Sequence, residues 1–162
     1  MSITRETYDS FLTLNSFAEA KLAFGSTISI GATVFVAQNL ISDNSAAPHA
    51  YIIVFMFAVS TMLYIRPMLP FLERVFREKN EQTFEGNILF FRDVAKSKLE
   101  SYIENLKKLK KDFDEIDQSY AEQNHAYSRI ILRKFAYFEA GLLVKSIASV
   151  YWLGYYLIFR QV

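Results

Sequence analysis

Three long stretches of the chain carry almost no charge, and they constrain the fold more than any other feature. Residues 22–42 contain no charged side chain, residues 50–69 contain only Arg66, and residues 140–159 contain only Lys145. A helix of about 20 mostly apolar residues is long enough to cross the hydrocarbon core of a bilayer. Three buried helices of a soluble protein are the alternative, but these stretches lack a polar face. We therefore predict an all-α membrane protein with three transmembrane helices.

The composition supports long helices and excludes several other classes. Five glycines and three prolines in 162 residues disfavour loop-rich β folds and disordered chains. The chain has no cysteine, which excludes disulfide scaffolds and thiol catalysis. A net charge of +1 gives no global field that would recruit a nucleic-acid polymer. We expect a single domain over residues 1–162.

Most lysine and arginine residues lie in the segment that joins the second and third apolar stretches. Residues 66–139 contain fourteen of them, the loop at 43–49 contains none, and the segment after the third stretch contains only Arg160. Basic residues favour the cytoplasmic side of a membrane. The bias predicts a multi-pass protein with the N-terminus and residues 66–139 in the cytoplasm. Helices of region 70–139 would then extend the membrane helices and form a bundle.

Local signals divide this region into helices. Ser97 and Ser119 each stand three residues before a glutamate, the spacing of a capping box. This predicts one helix over 97–118 and a last helix that begins near Ser119 and runs unbroken into the third membrane segment. A break is expected around Gly86, and the helix that leaves the second membrane segment is expected to reach about Thr83. The N-terminal segment should join the first membrane helix directly.

Two features inside the membrane segments have alternative interpretations. Gly25, Ser29, Thr33 and Ala37 recur every four residues, and small residues at this spacing permit close helix contact. The contact could lie within one subunit or between subunits. Lys145 stands near the cytoplasmic end of the third segment, where its side chain could reach the interface. The alternative is a lysine that lines a pore or faces another subunit.

Motifs of enzymes and metal sites are missing from the sequence. It contains no H-E-x-x-H, P-loop, G-x-G-x-x-G or G-x-S-x-G pattern. The two histidines, His49 and His125, fall on opposite sides of the predicted membrane, so one subunit cannot join them in a metal site. We therefore predict a protein that is not an enzyme and that has no metal site.

Three segments, in order, resemble the motifs of one family of membrane proteins. Residues 15–26, "NSFAEAKLAFGS", are similar to an acidic-x-Lys-Ala signature, with Glu19 in place of the usual aspartate. Residues 86–106, "GNILFFRDVAKSKLESYIENL", are similar to an Asn-Leu-Leu-Phe-Phe-Gly segment, with Arg92 in place of the glycine. Residues 123–138, "QNHAYSRIILRKFAYF", resemble the helix that leads to the family's final membrane segment. The family that these segments resemble is that of the transmembrane effectors of pyrimidine cyclase (Pycsar) anti-phage systems.

The resemblance covers about residues 8–158 and implies a function. Effectors of this family sit in the bacterial inner membrane and act with a cyclase that senses phage. Cyclic CMP or cyclic UMP from the cyclase activates the effector, which impairs the membrane and aborts infection. No cofactor beyond this signalling ligand is expected. The alternatives are a membrane-anchored scaffold or accessory subunit that binds a protein partner, and a membrane enzyme or transporter.

A small set of residues could bind such a nucleotide. Its phosphate needs a cation, its base edge an amide, and its flat base an aromatic ring, on which stacking is worth about 1–3 kcal/mol. The simpler interpretations are a turn residue for the amide, core packing for the rings and membrane-edge charges for the cations. The candidates are Lys21, Asn87, Phe90, Phe91, Arg92, Gln123, Arg133 and Lys134. Three helices cannot enclose a wide aqueous path alone, so we also expect a homo-oligomer, with Gly25, Ser29, Thr33 and Lys145 at its contact.

Overall fold

A computed structural model describes residues 3–40, 47–69, 83–84 and 86–159, and every regular element among them is a helix. Three of these helices are long and apolar enough to cross a membrane, which confirms the predicted fold class. The predicted helix between Pro70 and about Thr83 lies almost entirely outside the described residues. The elements are α1 (Ile3–Leu40), α2 (Ala47–Ile65) with a 3-10 turn (Arg66–Met68), α3 (Phe91–Lys96), α4 (Leu99–Leu109) and α5 (Glu115–Phe159).

The contacts divide the described residues into two units, each with its own core. The membrane unit contains residues 20–40, 47–69 and 136–159, and the polar unit contains residues 3–19, 83–84 and 86–135. Helices α1 and α5 contribute residues to both units. The N-terminal segment therefore joins the first membrane helix without a break, and the last helix runs into the third, as predicted. The single domain over residues 1–162 stays a prediction.

The three helices of the membrane unit meet around the ring of Tyr64. Tyr64 is buried between Gly25 of α1 and Gly141 of α5. A Cβ atom added at Gly25 would lie 2.9 Å from the ring, and one added at Gly141 would lie 2.7 Å from it. Only glycine lets both backbones approach an aromatic ring so closely.

A short chain of hydroxyl groups lies beside this ring. Ser60 Oγ donates to Gly141 O at 2.8 Å, and Ser29 Oγ lies 3.4 Å from Ser60 Oγ. Because the Ser60 proton is used on Gly141, Ser29 donates to Ser60. Thr33 Oγ1 donates to its own helix at Ser29 O. Gly25 and Ser29 of the small stripe therefore pack against α2 within the chain, and a contact between subunits along this stripe stays a prediction. A contact between subunits along Gly25 and Ser29 would require Tyr64 and Ser60 to move first.

A second apolar cluster lies farther along the same helices. Val36, Ala50, Ile53, Phe57 and Ala148 are buried together. Aromatic side chains of α5 surround this region, as expected for an interfacial belt. They include Tyr151, whose Oη lies 2.8 Å from His49 Nδ1, and Trp152, whose ring lies 6.1 Å from that of Phe35.

The polar unit is built on an aromatic and aliphatic core. Its buried members come from α1, α3, α4, α5 and the segment before α3. They are Phe11, Phe84, Phe91, Val94, Tyr102, Leu106, Ala121 and Ile131. Tyr102 and Leu106 of α4 are buried in this core, whereas Leu109 at the end of α4 and Ile116 at the start of α5 are exposed.

The predicted capping box at Ser97 is wrong. Ser97 Oγ donates backwards to Val94 O at 2.7 Å, at the end of the short helix α3. Helix α4 begins at Leu99, and its N-cap Lys98 makes no side-chain capping bond. The hydroxyl is buried, and the carbonyl at the end of α3 supplies the partner it needs.

The prediction of one helix over 97–118 is also wrong, because α4 ends at Leu109 and α5 begins at Glu115. A capping box that was not predicted begins α5. Asp114 Oδ1 accepts from Asp117 N at 2.8 Å, and Asp117 Oδ2 accepts from Asp114 N at 3.3 Å. This reciprocal pair is a capping box with aspartate at both positions. Ser119 therefore lies inside α5, which begins at Glu115.

We expect Gly141→Ala to destabilise the membrane unit. The added methyl group would collide with the buried ring of Tyr64, and overpacking of this kind costs about 1–3 kcal/mol. Thermal unfolding in detergent, followed by circular dichroism, measures the effect.

Gly31→Ala is the matched control in α1. A Cβ atom at Gly31 meets no atom of the described residues within 4 Å, so alanine should keep or raise stability through its helix propensity, worth about 1 kcal/mol. Equal stability of the Gly31→Ala and Gly141→Ala variants would contradict the packing around Tyr64.

Candidate functional site

A buried lysine in the polar unit is the strongest candidate for a ligand contact. Lys134 Nζ lies 2.5 Å from Glu19 Oε1 and donates to Asn15 Oδ1 at 2.8 Å. Asn15 Nδ2 also donates to Glu19 Oε1 at 3.3 Å. The lysine side chain is 9% exposed, whereas the side chain of Glu19 is 50% exposed. The positive charge is therefore covered by a carboxylate that is itself open to solvent.

The three segments that carried the family resemblance meet at this point of α5. Lys134 of the third segment binds Glu19 of the first. The next residue, Phe135, stacks on Phe91 of the middle segment, with ring centroids 5.6 Å apart. Lys134 and Phe135 are neighbours on α5, and they contact the first and the middle segment respectively. This is the observation that ties the sequence resemblance to a place in the fold.

Asn87 belongs to a tight turn before α3. Its Oδ1 accepts from Leu89 N at 2.9 Å, and its backbone N–H donates to Asp93 Oδ2 at 2.9 Å. A Cβ atom added at Gly86 would lie 2.5 Å from the side chain of Asp93, so the turn requires glycine there. The Asn87 amide oxygen is therefore used in the turn, which matches the simpler interpretation of this residue. Its part in nucleotide binding stays a prediction.

The two aromatic residues predicted to bind a base, Phe90 and Phe91, differ in exposure. Phe91 is buried and stacked on Phe135, so in this conformation its ring faces are not open to a base. Phe90 is exposed, and its ring centroid lies 5.6 Å from that of Phe91. Arg92 is exposed at the start of α3.

Within the polar unit, the predicted residues of α5 do not form one cluster. Gln123 precedes Lys134 by about 16 Å of helix, and its Nε2 contacts Ser119 Oγ at 3.4 Å. Arg133 is half-buried and points about 100° away from Lys134 around α5. Lys21 belongs to the membrane unit, where its Nζ lies 5.5 Å from the centroid of the Phe138 ring.

Lys145 lies in the membrane unit and is half-buried. The described residues contain no carboxylate bonded to its ammonium group. Gly141, on the same face, packs against Tyr64. A snorkelling lysine and a pore-lining lysine both remain predictions. Among the described residues no group of histidines and carboxylates could hold a metal ion.

Polar side chains buried near the start of α5 form a second cluster. Thr4 Oγ1 donates to Asp117 Oδ1 at 2.7 Å, and Asn124 Nδ2 donates to Thr4 O at 2.9 Å, which ties α1 to α5. Lys110 also forms an ion pair with Asp117. Within the described part of the chain, Tyr102 Oη and Asn124 Oδ1 are buried and form no hydrogen bond of ordinary geometry. Burial raises the pKa of Tyr102 to about 12, and its interaction with the Asn124 side chain opposes this shift.

Sequence reasoning missed Asn15 and Glu19 as partners of Lys134. Glu19 is 115 residues from Lys134 in the sequence, and neither periodicity nor spacing relates positions so far apart. The only sequence signal that related Glu19 to Lys134 was that both residues occur in segments that resemble one family.

The comparisons with known proteins agree with that signal. A family model described as "Pycsar effector protein domain" matches residues 3–159 of the chain. The comparisons with curated proteins and with solved structures found no match.

We expect Tyr102→Phe to reduce the loss of stability of the polar unit at high pH, because it removes a buried hydroxyl that can ionise. The wild type should lose stability between about pH 10 and pH 12. There the unfolded tyrosine releases its proton and the folded one keeps it, a difference of about 3 kcal/mol in stability.

Unfolding of both proteins in denaturant at pH 8 and pH 11 measures these differences. The phenylalanine variant should show the smaller loss. An equal loss in both would show that the Tyr102 hydroxyl is solvated.

Proposed function

We propose a function from the premise that this chain belongs to the Pycsar effector protein family, so that it is an effector of Pycsar anti-phage defence. In this proposal, cyclic CMP or cyclic UMP activates the protein and the active protein impairs the membrane. The observation that carries the proposal is the family match over residues 3–159. The three apolar helices support the membrane as the place where the protein acts. The family match over residues 3–159 includes all three candidate membrane spans.

The distribution of basic residues supports an orientation in the bacterial inner membrane. Residues 66–139 and the N-terminus would face the cytoplasm, where a pyrimidine cyclase makes the signal. The polar unit would then be the sensor and the membrane unit the effector. The protein would act without catalysis and without a cofactor beyond the signalling ligand.

Lys134 would bind the nucleotide phosphate by exchange of counter-ions. In the structure its positive charge is balanced by Glu19, whose carboxylate is half exposed. A cyclic nucleotide carries one anionic phosphate, which can replace a carboxylate on a lysine. Displacing Glu19 would open a path from solvent to Lys134 and remove one of the links between α1 and α5 in the polar unit. Binding energy would thus be converted into a change of helix packing.

Activity would require several copies of the chain. Three helices cannot enclose a wide aqueous path, and α1 carries exposed apolar residues such as Phe24 and Phe35 that another copy or lipid could cover. Because Gly25 and Ser29 pack against α2, we place the contact between copies on another face of α1.

Vesicles that contain the purified protein and a trapped dye test the activity. Cyclic CMP or cyclic UMP should release the dye, whereas the linear 5′-monophosphates should not. No release with either cyclic nucleotide would overturn membrane impairment as the function. Co-purification with a protein partner in that case would favour the scaffold alternative.

We expect Lys134→Ala to abolish nucleotide binding and Glu19→Gln to tighten it. The glutamine keeps the shape of the side chain but removes the competing charge, and a bond to a charged group is worth about 1.5–3 kcal/mol, or roughly tenfold or more in affinity. Calorimetric titration with cyclic CMP and cyclic UMP gives the affinities.

Lys108→Ala is the control, because Lys108 is an exposed lysine of α4 in the same unit. It should bind as the wild type does. Equal affinity of the wild type and the Lys134→Ala variant would remove Lys134 from the site.

A further inference from the structure

Three tyrosines of the polar unit meet where α1 packs against α5. The ring centroid of Tyr8 lies 5.4 Å from that of Tyr120 and 5.6 Å from that of Tyr127. All three side chains are half-buried, so each leaves part of its surface open to solvent. The exchange of counter-ions at Lys134 does not by itself use these rings.

Tyr127 lies on the same face of α5 as Lys134. Seven residues separate the two positions, which is almost two full turns and about 10.5 Å of helix. On α1, seven residues also separate Tyr8 from Asn15, whose Oδ1 accepts from Lys134 Nζ. The two helices therefore run in the same direction here, and they bring the tyrosines and the ammonium group onto one strip. Ile130, between Tyr127 and Lys134 on this face, is also half-buried.

The length of this strip suits a mononucleotide. A cyclic mononucleotide consists of one phosphate, one ribose and one base, so its base lies one sugar ring away from its phosphate. When the phosphate replaces Glu19 on Lys134, the base can lie over Ile130 and reach Tyr127. Every base has a flat face on which an aromatic side chain can stack.

The other aromatic residues close to Lys134 lie on the side of α3. Phe135 points about 100° away from Lys134 around α5, and its ring stacks on that of Phe91. Phe90 is exposed beside Phe91, which is buried. Displacement of Glu19 opens the side of Lys134 that faces α1, because Glu19 belongs to α1. The tyrosines lie on that side.

We propose that the pyrimidine base of the activating nucleotide stacks on Tyr127 when its phosphate occupies Lys134. This inference rests on the proposed function, from which it takes the ligand and its phosphate contact. Tyr8 packs against Tyr127 and holds the ring in place. Tyr120 contacts Tyr8 in a similar way but stands about 21 Å of helix before Lys134, which is beyond the reach of one nucleotide. The base is thus bound at the contact between α1 and α5 and not at the turn before α3.

Calorimetric titration of the full-length protein in detergent tests the stacking. Tyr127→Leu removes the ring and Tyr127→Phe keeps it. Tyr120→Leu is the matched control, because Tyr120 contacts Tyr8 but lies outside the reach of the ligand. Each variant and the wild type are titrated with cyclic CMP, with cyclic UMP and with ribose 3′,5′-cyclic phosphate, which has no base.

We expect Tyr127→Leu to bind the cyclic nucleotide about 5- to 150-fold more weakly than the wild type, the range that corresponds to stacking on one aromatic residue. Tyr127→Phe and Tyr120→Leu should bind as the wild type does. The ligand without a base should bind equally to the wild type and to the Tyr127→Leu variant.

Equal affinity of the wild type and the Tyr127→Leu variant for the nucleotide would overturn the inference and leave the proposed function in place. An equally large loss of affinity for the ligand without a base would also overturn it, because Tyr127 would then act on the fold and not on the base. No binding of either nucleotide to the wild type would refute the proposed function itself and, with it, this inference.

Photo-crosslinking of the wild type gives a second measurement if the Tyr127→Leu variant does not fold. Under ultraviolet light, cyclic 5-iodo-UMP crosslinks to an aromatic side chain in contact with its base, and mass spectrometry of the digested protein identifies that side chain. We expect the crosslink at Tyr127. A crosslink at Phe90 or elsewhere, or none in the bound complex, would overturn the inference.

Discussion

Backbone hydrogen bonding in hydrocarbon is the constraint on which the structure depends. A peptide group in the bilayer core has no water to bond to, so each membrane segment must satisfy its own N–H and C=O groups as a helix. In α1 and α5 this regularity continues well beyond the apolar stretches, over 38 and 45 residues. The polar unit is therefore assembled on helices that the membrane segments already require, and the short helices α3 and α4 complete it.

The parts that could be predicted from the sequence are those fixed by hydropathy and by the absence of breakers. Residues 22–42, 50–69 and 140–159 contain almost no charge, and the structure places the described residues of each in a long helix, with the last residues of the second in and after the 3-10 turn. Helix boundaries in the polar unit were harder to predict from the sequence. Ser97 and Ser119 each stand three residues before a glutamate, which is also the spacing of a true capping box. Only the folded chain shows that Ser97 bonds backwards and that Asp114 and Asp117 cap α5. Local spacing cannot decide between competing hydrogen-bond partners.

The candidate site was predicted in part, through the resemblance rather than through residue chemistry. Lys134 was among the candidates, but its partners Asn15 and Glu19 could not be deduced, because the contact joins segments far apart in the chain. Phe91 was a candidate for stacking on a base, with core packing as the simpler interpretation, and in the structure it fills the core against Phe135. Burial decides such cases, and a run such as "ILFF" does not reveal which of its rings will be buried.

The close packing around Tyr64 also limits how this membrane unit can evolve. Gly25 and Gly141 face the same ring from two helices, so a side chain at either position collides with the tyrosine at position 64 and costs stability. A smaller residue at position 64 would have to arise first, and it would leave a cavity until one of the glycines was replaced. The three positions therefore form one inherited unit, in which the order of substitutions matters. Among the described residues no atom lies within 4 Å of a Cβ at Gly31 or Gly154, so packing within this part of the chain does not couple those two positions to others.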